Sequence, residues 1–128
     1  MQITILKSKI HRARVTEVHP DYEGSCAIDS RLLEAAQILE FEQIHVYNVT
    51  NGERLVTYAI AARPGTGTIS LNGAAAHKAH AEDIVIIAAY AGVSESEARD
   101  FHPELVYVNE QNQVIRTGSR ISSTVSDR

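Results

Sequence analysis

Apolar and polar residues alternate through residues 10–18, where Ala13 and Val15 are separated by Arg12, Arg14 and Thr16. A period of two predicts a half-buried strand. His19-Pro20-Asp21 ends it, and residues 22–28 are short and mixed. The spacing then changes: Leu32, Leu33, Ala36 and Leu39 form a helical stripe, with Asp29 placed to cap it. Residues 43–49 and 54–60 predict two strands of a hairpin. They are joined through Asn51-Gly52, the pair that best tolerates the two positive φ angles of a type I′ turn. Residues 63–67 read as a loop and 68–71 as a short strand, after which Asn72-Gly73 opens an alanine-rich turn. Residues 84–89 predict a buried strand. Ser94 and Glu97 have capping-box spacing, so a short helix follows, ended by His102-Pro103. Residues 105–109 and 114–117 predict a last pair of strands.

The sum is six or seven short strands and two or three short helices. Regular β-α alternation is missing, which excludes a dinucleotide-binding α/β unit. A mainly β fold, built as a small closed or nearly closed barrel with short helices, is expected. A chain of 128 residues suits one domain, here residues 1–118, with a polar tail over 119–128 expected to be disordered.

Composition narrows the partners. No apolar run approaches the ~20 residues of a membrane span. The basic residues near the start follow the apolar ones, unlike a secretory signal. A single cysteine, Cys26, makes no internal disulfide and points to the cytoplasm. Net charge is -4, and the one basic cluster is Lys7, Lys9, Arg12 and Arg14, which argues against a nucleic-acid partner. With no tryptophan, a stacking platform for single strands is poorly supported.

Several residues invite chemistry. Gly24-Ser25-Cys26 loosely resembles a thiol-protease stretch, but a small buried hydrophobe is the stronger reading of Cys26. His77 and His80 share a helical spacing, yet with one cysteine and no second cluster no metal site is expected. Gly65 and Gly67 lack the following Lys-Ser or Lys-Thr of a phosphate loop. The small residues of Asn72-Gly73-Ala74-Ala75-Ala76 can leave backbone N–H groups open to a ligand, although from composition alone a turn into a helix is the stronger reading. Gly24-Ser25 has a distinct possibility. The serine hydroxyl can attack the preceding carbonyl in an N→O acyl shift, and glycine removes the Cβ that would obstruct it. Elimination and hydrolysis then give ammonia and an N-terminal pyruvoyl group. The dipeptide alone is too common to carry this.

The motifs taken together carry more. They are Lys9-Ile10-His11-Arg12, Tyr22-Glu23-Gly24-Ser25, Ile28-Asp29, Asn48-Val49-Thr50-Asn51-Gly52, Thr57-Tyr58-Ala59-Ile60, Asn72-Gly73-Ala74-Ala75-Ala76-His77 and Asp83-Ile84-Val85-Ile86-Ile87. In this order, through residue 117, the chain resembles the bacterial pyruvoyl-dependent aspartate 1-decarboxylases, lyases that make β-alanine for pantothenate and coenzyme A. The resemblance implies a double-psi β-barrel, a homotetramer, and a zymogen that cuts itself between Gly24 and Ser25. The products would be a β-chain of residues 1–24 and an α-chain of residues 25–128. The cofactor would be a covalent pyruvoyl group derived from Ser25, forming a Schiff base with L-aspartate, with no pyridoxal phosphate and no metal. A maturation factor assists some relatives.

The same resemblance implies roles. Tyr58 is the proton donor; Gly24, Thr57 and Asn72 serve self-processing. Lys9, His11, Tyr22, Arg54, Thr57, Gly73, Ala74 and Ala75 hold substrate. Strand parity puts Arg54, Val56 and Tyr58 on one face, so guanidinium and phenol are expected to share a space. Thr57 falls on the opposite face, and a bulge or a subunit boundary would reconcile this with its role. The alternatives are a non-catalytic barrel of the same fold, acting as a binding or regulatory module, and a pyruvoyl enzyme for another amino acid. Basic strands would favour the module. A dicarboxylate is favoured by Arg54 with Lys9.

Overall fold

The computed structural model describes residues 1–121. In chain order these form β1 (Gln2–Arg14), β2 (Glu17–His19), β3 (Ser25–Asp29), α1 (Ser30–Ala36), β4 (Gln43–Asn48), β5 (Arg54–Ala62), β6 (Ile69–Asn72), a 3₁₀ helix (Gly73–Lys78), β7 (Ile84–Ser94), α2 (Glu95–Arg99), β8 (Glu104–Val108) and β9 (Val114–Gly118). The fold is mainly β with short helices. Its strands pair in the order β2-β6-β3-β5-β4-β7-β1-β8-β9. Most of the tail expected to be disordered lies outside the described residues.

Nine strands stand where six or seven were expected. β1 begins at Gln2, well before the alternation becomes readable, because its pairing with β7 shifts register between Leu6 and Ser8 and again between Ile10 and Ala13. Each shift transfers the apolar positions to the other face. β3 escapes a period-two reading because it lies between β5 and β6 and is buried on both faces.

The helix over 30–36 is capped by Asp29 as expected, but it stops earlier than the stripe implied. Gln37 is left-handed at φ 55, and Leu39 beyond it is 74% exposed while Ile38 takes the inward position. The hairpin also forms, though not through a type I′ turn. Of Asn51 and Gly52 only Gly52 has positive φ. The connection is instead wrapped around Asn48, whose Oδ1 accepts from the N–H groups of Thr50 and Asn51 at 2.9 and 3.2 Å. This side-chain wrapping is the local bonding that Asn favours in turns. The capping box is present as read, with Glu97 N–H donating to Ser94 Oγ and Ser94 N–H donating to Glu97 Oε1.

The core runs through Ile10, Ile28, Leu32, Ile44, Leu71 and Ile87, all shielded from solvent. Asp29 is one of several polar residues buried with them. The Asp29 carboxylate accepts from the N–H groups of Arg31 at 2.8 Å, Gly65 at 3.1 Å and Gly67 at 2.8 Å. It therefore ties the end of β3 to α1 and to the loop before β6. Asp29→Ala removes a cap and leaves buried donors unpaired. A loss of about 3 kcal/mol is expected, read as a lower urea midpoint with an unchanged slope.

Candidate active site

Ser25 opens β3, and Asn72 closes β6, directly opposite it in the antiparallel register. Their side chains meet: Asn72 Nδ2 donates to Ser25 Oγ at 2.9 Å. Asn72 Oδ1 in turn accepts from Ser70 Oγ at 2.8 Å. Ser25 Oγ donates to the carbonyl of Glu23 at 3.2 Å. Ser25 is 3% exposed while the adjoining Gly24 is open to solvent. The peptide bond between them thus sits where a solvated loop enters the sheet.

Gly73 follows Asn72 at φ +70, a conformation that favours glycine. A Cβ built there would lie 2.7 Å from Gly24 Cα, 2.8 Å from Gly24 N and 3.2 Å from the carbonyl oxygen of Tyr22. The loop over 22–24 lies against Gly73 because no side chain intervenes.

A cavity of about 440 Å³ opens on Ser25, lined by Tyr22, Glu23, Phe41, Tyr58, Ile60 and Asn72. A second, of about 380 Å³, is lined by Gly24, Leu55, Val56, Thr57, Tyr58, Asn72, Ala74, Ala75 and Lys78. Tyr58 and Asn72 line both, so the two spaces flank the Gly24-Ser25 bond. Tyr58 is 36% exposed. Tyr22 stacks on His19 with ring centroids 4.1 Å apart.

Thr57 reaches its cavity without a bulge: β5 pairs with β3 and with β4 without any register shift. The reason lies in how the strands overlap. β3 joins β5 only from Cys26 opposite Ala59 onward. From Arg54 to Tyr58 the β3 side of β5 is therefore a free edge, facing Gly24 and the 3₁₀ helix. Side chains of either parity reach the space beside a free edge.

Arg54 and Tyr58 do share a face, but they do not share a cavity. Four residues of strand separate them by about 13 Å. Arg54 lines a space of about 350 Å³ with His45, Tyr47, Leu55 and Val56, its guanidinium 4.4 Å from the centre of the Tyr47 ring. Lys9 stands on β1 opposite Ala88 and Leu105, and burial lowers the pKa of its ammonium. His11 lines a fourth space, with Arg12, Arg14, Tyr107 and Arg116. Burial, and then the charges of Lys9, Arg12 and Arg116, hold its pKa below the usual imidazole value. Within one chain the structure gathers Tyr22, Gly24, Ser25, Thr57, Tyr58, Asn72, Gly73, Ala74 and Ala75. It leaves Lys9, His11 and Arg54 elsewhere.

Sequence reasoning gave no role to Ser70, Phe41 or Ile60, which the structure places at the site. Ser70 lies two residues from Asn72 on one face of β6, a signal the period of two could have supplied. Phe41, at φ 72 in an irregular segment, left no such signal. Cys26 is fully buried, which pushes its thiol up to about 12 and keeps it protonated at neutral pH, as a small core residue rather than a nucleophile. His77 and His80 are exposed, and among the described residues no group of three or more His, Cys, Asp or Glu is placed to hold a metal ion. No helix among those residues is long and apolar enough to cross a membrane.

The sequence is similar to that of known proteins. The family model for aspartate decarboxylase matches residues 1–115. The aspartate 1-decarboxylase of Methylococcus capsulatus is 59% identical over 121 residues, covering 94% of this chain and 96% of that protein. That of Hydrogenovibrio crunogenus is 57% identical, covering 94% of each. That of Nitrosococcus oceani is 55% identical over 126 residues, covering 98% of this chain and all of the relative. With similarity of this depth running nearly end to end, the chain belongs to the aspartate decarboxylase family.

Proposed function

We propose that this chain converts L-aspartate to β-alanine and CO2 through a pyruvoyl group made from its own Ser25. The observation that carries the reading is the Ser25 hydroxyl, buried at the wall of a cavity it shares with Tyr58 and oriented by Asn72 Nδ2 at 2.9 Å.

Self-processing starts when Ser25 Oγ attacks the carbonyl carbon of Gly24. The C–N bond between the two residues breaks, and the hydroxyl proton passes to the released amine. In the ester, Ser25 then loses its Cα proton, Gly24 departs as a carboxylate, and dehydroalanine is left at position 25. Tautomerisation and hydrolysis consume one water and release ammonia. The products are chains 1–24 and 25–128 of a single barrel domain spanning residues 1–118. Asn72 orients the nucleophile, and the Thr57 hydroxyl, in the cavity that includes Gly24, is available to the scissile carbonyl. Room for the new group is present, since Ser25 already faces a cavity of about 440 Å³ with a hydrogen-bond donor beside it.

The pyruvoyl ketone supplies an electron sink for the charge left at Cα when CO2 departs. The chain must then deliver a proton to that carbon. Tyr58 is the hydroxyl beside Ser25 suited to it, and the backbone of Gly73, Ala74 and Ala75 borders the same region. Tyr58→Phe is expected to cut itself yet lose roughly 10²–10⁴-fold in β-alanine formation, measured per cleaved chain. A variant that retains full turnover would remove Tyr58 from this role.

Two carboxylates call for cations, and Arg54, Lys9 and His11 lie away from the Ser25 cavity of their own chain. A neighbouring copy in a homotetramer would bring them there, with Arg54 as the planar fork and Lys9 as a point charge. The reading places the enzyme in the cytoplasm, as a source of β-alanine for pantothenate and coenzyme A. Treatment with cyanoborohydride in the presence of aspartate tests it. Substrate-derived mass should be added to the 25–128 chain, with loss of activity. Full activity surviving that treatment, with no added mass, would overturn the pyruvoyl reading.

A further inference from the structure

We infer that Ser70 is a positioning residue for self-cleavage, acting through Asn72; this rests on the self-processing proposed above. The serine is 4% exposed, and its hydroxyl has one polar neighbour among the described residues, Asn72 Oδ1 at 2.8 Å. A primary amide has two faces of similar shape but opposite polarity, and either could turn toward Ser25. Ser70 anchors the amide. By donating to Oδ1 it holds the Asn72 side chain in the position from which the NH₂ group meets Ser25 Oγ.

The consequence reaches the nucleophile. With Oγ accepting from Asn72, the hydroxyl hydrogen of Ser25 is directed to the Glu23 carbonyl at 3.2 Å. The bonds run in one direction, from Ser70 to Asn72 to Ser25 to the main chain two residues upstream. Reversing the amide would have Ser25 donate to Asn72 and would withdraw the donor from the oxygen that attacks Gly24. Ser70, Asn72 and Ser25 are all buried, so water is a poor substitute for the missing donor. Ser70 and Asn72 share a face of β6, two residues apart, and the antiparallel register holds that face against Ser25.

Two variants separate donation from packing. Ser70→Ala removes the hydroxyl, and Ser70→Cys keeps nearly the same volume with a much weaker donor. Cleavage of freshly purified full-length protein is followed by denaturing gel and intact mass, alongside the thermal midpoint of each precursor. Both variants are expected to cleave at least about 10-fold more slowly than wild type, the size of a lost buried hydrogen bond. The cysteine variant should melt within a few degrees of wild type, so that slow cleavage is not merely poor folding. A Ser70→Cys chain that cleaves at the wild-type rate would overturn the inference while leaving self-processing intact. A wild-type chain that never cleaves would overturn both.

Discussion

A Ser25→Ala chain is expected to remain whole and to release no β-alanine from aspartate. The substitution removes one oxygen and leaves the neighbouring side chains in place. Asn72 Nδ2 loses its acceptor at 2.9 Å, a cost of roughly 1–3 kcal/mol in a buried position. The sheet around it is unaffected, because the backbone of β3 keeps both neighbours, β5 and β6. The chain should therefore fold, as read by a cooperative thermal transition, yet run as a single full-length band. Cys26, the adjacent nucleophile by type, cannot stand in for it, since it is buried and its thiol is pushed up to about 12. Residual β-alanine formation by uncut Ser25→Ala protein would remove the serine from the chemistry.

Gly73→Ala is the second large effect, and it acts from the far side of the same bond. A methyl at this position would lie 2.7 and 2.8 Å from backbone atoms of Gly24, and no rotamer change relieves a clash with main chain. Alanine at φ +70 adds about 1–2 kcal/mol of backbone strain. Either the loop over 22–24 lifts or the turn after β6 changes conformation. Both displace the Gly24 carbonyl relative to Ser25 Oγ, and a misplacement of about 1 Å can cost roughly 100-fold in rate. Cleavage slowed by about 100-fold or more is expected, with precursor accumulating. Cleavage at the wild-type rate would mean that the approach of Gly24 to Gly73 is not needed for the acyl shift.

Two predicted strands joined by Asn51-Gly52 were enough to find the hairpin that carries Thr57 and Tyr58, and the Ser94/Glu97 spacing found α2. Both are local signals. β3 was not legible, because a strand buried on both faces has no period, and this is the strand that begins with the reactive serine. Parity placed Arg54 and Tyr58 on one face correctly, but it carries no information about where one cavity ends. About 13 Å of strand puts the guanidinium in a different space. Thr57 shows the converse limit. Its parity argued against the site, and only the late start of β3 along β5 explains its access. The Ser25–Asn72 contact spans 47 residues and leaves no mark on either segment. Gly24-Ser25 and Asn72-Gly73 each look like ordinary turns until the antiparallel pairing of β3 with β6 sets them side by side.

The most direct test of this account is the intact mass of the purified wild-type protein under denaturing conditions. The account predicts two species, residues 1–24 ending in a free carboxylate and residues 25–128 beginning with a ketone. Their masses should sum to that of the uncut chain plus one water less one ammonia. A single species at the full-length mass, from protein that nevertheless forms β-alanine from aspartate, would contradict it.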